Sequence, residues 1–175
     1  LEYKTLNPLT EEERKLAVQK LIIQKPLETE KHLRSQIQYD LSYQIDFDET
    51  YDSNQGIVVV SHIHIRNNNI EQLHEALKTV EKSLIPLSDK ELLARLTIMF
   101  SVLNKQNMSD EDLTLKIKSL MQLINYEDQI PADIIINAIN HLTRHSKGWY
   151  PSYPEIISKC SHAMDIRKKL HSELH

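Results

Sequence analysis

The sequence predicts a mainly α-helical protein: a C-terminal bundle of about five helices, an N-terminal helical arm and one candidate for a small β-hairpin. Three observations carry this. Only 2 of 175 residues are glycine and 6 are proline. That is too few positions of positive φ for a hairpin-rich barrel, a Gly-rich phosphate loop or a dinucleotide fingerprint. Apolar residues recur at helical spacing through most of the chain. Helix-opening signatures, in which Ser or Thr precedes an acid by three positions, stand before those stretches.

Taken in order, Thr10-Glu11-Glu12-Glu13 is such a capping box, and a helix of about 11–24 follows, stopped by Pro26. A second helix is expected near Thr29, with Leu33, Ile37 and Leu41 at i, i+4 and i+8. From Tyr39 to Asp48 apolar and polar residues alternate as in a strand, and Ile57–Ile65 is β-branched and then alternating. The acidic, turn-prone segment Asp48–Gly56 joins them, either as the loop of a hairpin or as a linker. The organisational break is placed there, giving an arm with an acidic loop over 1–55 and a bundle domain over 56–175, headed by the short strand-like segment.

Asn67–Asn69 then caps a helix carrying Ile70, Leu73, Leu77, Val80 and Leu84 up to Pro86. Ser88-Asp89-Lys90-Glu91 opens a helix with Leu92, Leu93, Leu96, Met99, Phe100 and Leu103, and Ser109–Asp112 opens one with Leu113, Ile117, Leu120, Met121 and Ile124. Pro131, expected at the first helical position, starts the helix of Ile134, Ile135, Ala138, Ile139 and Leu142, which runs towards Gly148. Ser152–Glu155 opens the last, with Ile156, Cys160, Ala163, Met164, Ile166 and Leu170. Residues 70–172 thus read as five capped helices.

Composition restricts function. The net charge is −4, so the chain as a whole does not attract nucleic acid or anionic membrane. A single cysteine, Cys160, excludes an intramolecular disulfide framework and a multi-cysteine zinc site, and fits a reducing cytoplasm. The early charges of Glu11–Lys15, without a long apolar run, give no signal peptide, and no run of 18 apolar residues spans a membrane. No cofactor motif is present.

Three constellations bear on chemistry. His62 and His64 share a strand face, and His141 and His145 lie one helical turn apart, which is metal-ligand spacing. With Asp133 or Glu155 the second pair would make a metal-dependent hydrolase, whereas the ordinary reading is solvated imidazole. Cys160, mid-helix on an apolar stripe, reads as a buried inert thiol. Arg144-His145-Ser146-Lys147-Gly148-Trp149-Tyr150-Pro151 sets cations beside aromatics, as in a grip on single-stranded nucleic acid. The same residues also suit a structural plug at the base of a bundle. Arg167, Lys168 and Lys169 extend that candidate interface, although residues 131–175 hold only six Lys and Arg against four Asp and Glu.

The segment Pro131-Ala132-Asp133-Ile134, continued through Ala138-Ile139 to Ser146-Lys147-Gly148-Trp149-Tyr150-Pro151-Ser152-Tyr153-Pro154-Glu155-Ile156, resembles small helical proteins of bacteriophages and prophages, especially of alphaproteobacteria, that accompany replication genes. It is also similar to phage loaders and inhibitors of replicative helicases. The resemblance covers roughly 85–172. It implies a phage-type origin and a binding role, and it brings no catalytic residue. The expected function is therefore a non-enzymatic, cytoplasmic interaction module acting on a replication or DNA-processing complex through a protein partner, with weak or absent nucleic-acid binding. The alternative is a single-stranded nucleic-acid-binding protein using Arg144, Lys147, Trp149, Tyr150, Arg167, Lys168 and Lys169. The apolar alternation in 39–66 must be covered, either by the helical body or by a second copy in a homodimer.

Overall fold

The structure, a computed structural model, describes Glu12 and residues 29–103, 108–146 and 150–175. The expected helix of 11–24 and the candidates Lys147 and Trp149 lie outside the described residues. Six α-helices and one two-stranded antiparallel hairpin make up the rest, so the fold is mainly α, as expected. They are α1 (Thr29–Asp40), β1 (Ile45–Asp52), β2 (Ile57–Ile65), α2 (Ile70–Ser83), α3 (Asp89–Val102), α4 (Asp110–Met121), α5 (Ala132–His145) and α6 (Tyr153–Leu174). The chain forms two compact units, and they do not follow the division at 55/56. One unit comprises Glu28–Ile85 with Cys160–His175, and the described residues of the other run over Pro86–Lys159. The segment expected to separate domains is the turn of the hairpin, and the ladder across it holds 45–65 together.

In the hairpin unit, Leu33, Ile37 and Leu41 form the buried stripe of α1 and its C-terminal turn. They meet Ile45, Val60 and Ile63 of the hairpin, Ala76 and Val80 of α2, and Ile166, Leu170 and Leu174 of α6 in one apolar cluster. The inner face of the hairpin is therefore covered by this chain's own helices. The strand begins at Ile45, six residues later than Tyr39, because the helical period of Leu33, Ile37 and Leu41 prevails over the local alternation. The change of direction falls on Ser42 and Tyr43, both left-handed at φ 50° and 62°, and Tyr43 N–H donates to the Gln38 carbonyl at 2.6 Å as in a helix C-cap.

The register pairs Ile45 with Ile65, Phe47 with Ile63 and Asp48 with His62, but Glu49 with Val60. Ser61 is thus the extra residue of a β-bulge, and its hydroxyl donates to the Asp48 carbonyl at 3.0 Å. The bulge has a packing purpose. Val60 and Ile63 are three apart, so strict alternation would put them on opposite faces; the inserted residue brings both into the core. Gly56 closes the turn at φ 67°, donating its N–H to the Asp52 carbonyl at 2.8 Å. The Asp52 carboxylate accepts from Asn54 N–H at 2.9 Å.

In the helical unit the expected caps form. Ser88 accepts from Glu91 N–H and Ser109 from Asp112 N–H, at 3.3 and 3.1 Å. Leu92, Leu96, Met99 and Phe100 of α3 pack in a core with Ile117, Leu120 and Met121 of α4 and Ile134, Ile135 and Ile139 of α5. After Met121 the helix widens into a π-helical turn, Gln122–Glu127. Ile124 and Asn125 are buried there, and the Asn125 amide donates to the Leu87 carbonyl at 3.0 Å and the Asp89 carboxylate at 2.9 Å. Pro131 stands one position before α5, as its N-cap.

Candidate functional site

Helix α5 separates its two sides by residue type. Ile134, Ile135, Ala138, Ile139 and Leu142 face the core, and the polar residues Asn137, His141 and His145 stand at steps of four, as do Asn140 and Arg144. Together with Lys159 of α6 these line a cleft of about 310 Å³, to which Ala138 also contributes. Among the described residues no Asp or Glu lines it. Arg144 and His145 occupy the last turn of α5, where the carbonyl end of the helix favours positive charge. The rings of His141 and His145 lie 4.5 Å apart between centroids, tilted by 40°. The His141 imidazole is held below its ordinary pKa, first by loss of water on the cleft wall and then by the charges of Lys159 and His145. Asn140 is only 6% exposed, and its Oδ1 has no hydrogen-bond partner among the described residues. Among the described residues, the arrangement is a hollow lined by basic and amide side chains.

The described candidates read from the sequence differ in environment. Arg144 lines the cleft. Tyr150 is 7% exposed and packs on Phe100 at 4.8 Å, with the Lys116 ammonium 5.4 Å from its ring centre. Burial raises the pKa of its hydroxyl. Tyr150 is thus a core residue and no stacking platform. Arg167 is corrected in the same way: it is fully buried, its Nε and Nη2 donating to Glu30 Oε1 at 2.9 and 2.7 Å and its Nη1 to the Ser83 carbonyl. Lys168 is exposed, whereas Lys169 is engaged by Asp165 at 2.9 Å and by the Val60 carbonyl at 2.7 Å. These last three belong to the hairpin unit and Arg144 and Tyr150 to the other.

The metal candidates His141 and His145 do come together, but beside Arg144 and Lys159, and no third donor joins them. Glu155, one of the carboxylates considered for that role, accepts from the Ser152 amide at 2.6 Å and hydroxyl at 2.8 Å, which lowers its pKa. Among the described residues no group of three His, Cys, Asp or Glu side chains is placed to hold a metal ion. His62 and His64 stack on the hairpin at 6.2 Å, and His64 pairs with Asp48 across the strands at 2.9 Å. Cys160 is fully buried, and burial pushes its thiol up to about 12, so it is an inert core residue as expected.

Asn137 and Asn140 are cleft residues that the sequence did not single out, and Lys159 counted there only as one of the six cations of the last two helices. Lys159 sits 14 or more positions from the α5 residues it joins, and no local periodicity reports which helices become neighbours. Asn140 reads as one more polar residue on an amphipathic helix until its burial is known. The chain matches no family model, no curated protein and no solved structure. Among the described residues no helix is long and apolar enough to cross a membrane.

Proposed function

We propose that this chain is a non-enzymatic interaction module that grips an acidic segment of a protein partner through the basic cleft of α5. The observation that carries the reading is the lining of that cleft: Arg144, Lys159, His141 and His145 around one hollow, with no carboxylate among them. A protein of net charge −4 that gathers Arg144, Lys159 and two imidazoles along one hollow sets basic groups together there, against the sign of its overall charge. An acidic peptide segment complements those groups at short range. A long nucleic-acid backbone demands a broader basic face, and with Tyr150 and Arg167 buried the proposed nucleic-acid grip loses one of its stacking rings and one of its cations. The inert Cys160 thiol removes the one candidate nucleophile of that type. A replication or DNA-processing complex, the setting implied by the resemblance to phage proteins, is proposed as the source of the partner.

The test is fluorescence anisotropy with a labelled Asp- and Glu-rich peptide, in parallel with a labelled single-stranded oligonucleotide. The peptide should bind, and the double variant Arg144→Glu, Lys159→Glu should weaken it by about a hundredfold, two charge-assisted contacts of roughly tenfold each. Both side chains are exposed, so the circular dichroism of the variant should match the parent. Peptide affinity unchanged in the double variant, or an oligonucleotide bound more tightly than the peptide at about 150 mM salt, would refute the reading.

A further inference from the structure

We propose that the free edge of β1 takes up an extended, basic segment of a protein partner as a third strand. The site lies in the hairpin unit and does not rest on the reading of the α5 cleft. The hairpin is a two-stranded sheet, so among the described residues each strand has a strand neighbour on one side only. The hydrogen bonds show which backbone groups lie on the other side of β1. The Gln44 carbonyl accepts from Arg66 N–H, that of Asp48 from the Ser61 hydroxyl and that of Asp52 from Gly56 N–H, all towards β2. Successive residues of a strand turn these groups to opposite sides, so Phe47, Glu49 and Tyr51 aim their N–H and C=O away from β2. The two edges are not equivalent. On β2 the carbonyl of Val60 is taken by the Lys169 ammonium of α6 at 2.7 Å. On the distal part of β1, Glu49 and Tyr51 are exposed.

Side chains decide what kind of strand fits. Tyr51 and Val58 are cross-strand partners, 67% and 51% exposed, and offer an apolar pair to a neighbouring residue. β1 holds Asp46, Asp48, Glu49 and Asp52 and no Lys or Arg. Arg66 pairs with Asp46 at 2.6 Å, His64 with Asp48 at 2.9 Å and Arg34 with Glu49 at 2.7 Å. Four carboxylates thus meet two permanent cations. The hairpin unit as a whole holds 12 Asp and Glu against 8 Lys and Arg, so the entire net charge of −4 belongs to it. Asp46, Asp48 and Asp52 share one face of the strand, and Glu49 and Tyr51 the other. A partner strand with Lys or Arg at alternate positions therefore meets the three aspartates on one face and sets apolar residues beside Tyr51 on the other. Backbone hydrogen bonds supply the affinity of such an addition and the alternate side chains its specificity. A second copy paired β1 to β1 would set acid against acid, which is why the occupant is a basic strand of another protein.

The full chain is titrated with a peptide that alternates Lys and Val over eight residues, the length of β1, and with a peptide of the same composition in two blocks. Affinity is read by fluorescence anisotropy, and the backbone amides by NMR hydrogen exchange. In the free chain the Phe47, Glu49 and Tyr51 amides should exchange readily, and the alternating peptide should slow them by about tenfold or more. That peptide should bind about tenfold more tightly than the block peptide, and Asp48→Lys should weaken it by about tenfold. Tyr51→Pro removes an outward N–H without removing a bond of the hairpin, and should weaken binding by about tenfold, whereas Tyr51→Val keeps the N–H and should stay within about threefold. Equal affinity for the two peptides, or binding that leaves the three amides unslowed, would reduce the contact to charge attraction and overturn the added strand. Amides already protected in the free chain would show the edge to be occupied, by a second copy where light scattering gives a dimer, and would refute the open edge. Failure of the alternating peptide to bind would refute the proposal outright.

Discussion

Arg167 is the residue at which sequence and structure differ most in meaning. In the sequence it is the first of three successive cations near a helix end, the pattern of a solvated basic patch. In the structure it is the largest fully buried side chain, tied to Glu30 and to the Ser83 carbonyl. A guanidinium out of water is costly unless its donors are used, and here they reach α1 and the end of α2 together. Arg167→Met removes the charge but leaves Glu30 with its partner lost, so the variant should lose about 3–5 kcal/mol in urea unfolding, whereas Lys168→Met should cost less than about 0.5 kcal/mol. Equal losses would mean that Arg167 is not the tie. Neighbours in sequence thus differ completely in environment because a helix turns 100° per residue: Lys168 faces water where Arg167 faces α1. The apolar stripe of Ile156, Cys160, Met164 and Leu170 marks this face in the sequence, yet nothing local says that a cation interrupts it with a partner 137 residues away.

Elements were legible wherever a local signal agreed with the packing. Ser88, Ser109 and Ser152 cap or open helices where the spacing of Ser and acid places them, and the stripes of α3, α4 and α5 are buried as read. The π-helical turn after Met121 and the bulge at Ser61 were not legible, because both answer to what lies across from them. The bulge follows from the burial of Val60 and Ile63 together, and the wide turn keeps Ile124 and Asn125 inside, the latter serving the Leu87 carbonyl. Deleting Ser61 leaves Val60 and Ile63 two apart, so a regular ladder keeps both on the core face. The deletion should therefore cost no more than Ser61→Ala, about 1 kcal/mol for the lost hydrogen bond, and a loss of about 2–4 kcal/mol would mean that an apolar side chain has turned outward. Chemical denaturation of the two variants distinguishes register from hydrogen bonding. At the tip, Gly56 has room for a Cβ, whose nearest neighbour would be Tyr51 Oη at 3.9 Å, but its φ of +67° penalises any other residue. Gly56→Ala should cost about 1–2 kcal/mol through the backbone alone. A neutral result in the same assay would mean that the turn relaxes to another conformation.

At the scale of the whole molecule, the titrating groups fix how stability follows pH. Tyr126 and Asn125 donate to the Asp89 carboxylate and the Ser152 amide and hydroxyl donate to Glu155, so both acids have folded pKa values below their ordinary ones. Such groups contribute stability that is full above the unfolded pKa, near 4, and is lost as pH falls through the folded value. His141 is the unusual case, since its folded pKa is also depressed. For a base this means that the unfolded chain takes up a proton first, at about pH 6.5, while the folded chain resists it, so stability falls as pH drops through that value and below it. The chain should lose stability in two stages on acidification, the first near neutrality through His141 and the second in the carboxylate range. His141→Gln should flatten the first stage and leave the second, as seen in melting temperatures taken between about pH 8 and pH 5 in phosphate-free buffer. A wild-type melting temperature unchanged between about pH 7.5 and 5.5, or a decline identical in His141→Gln, would show that the crowding of His141 by Lys159 and His145 does not reach the folding equilibrium.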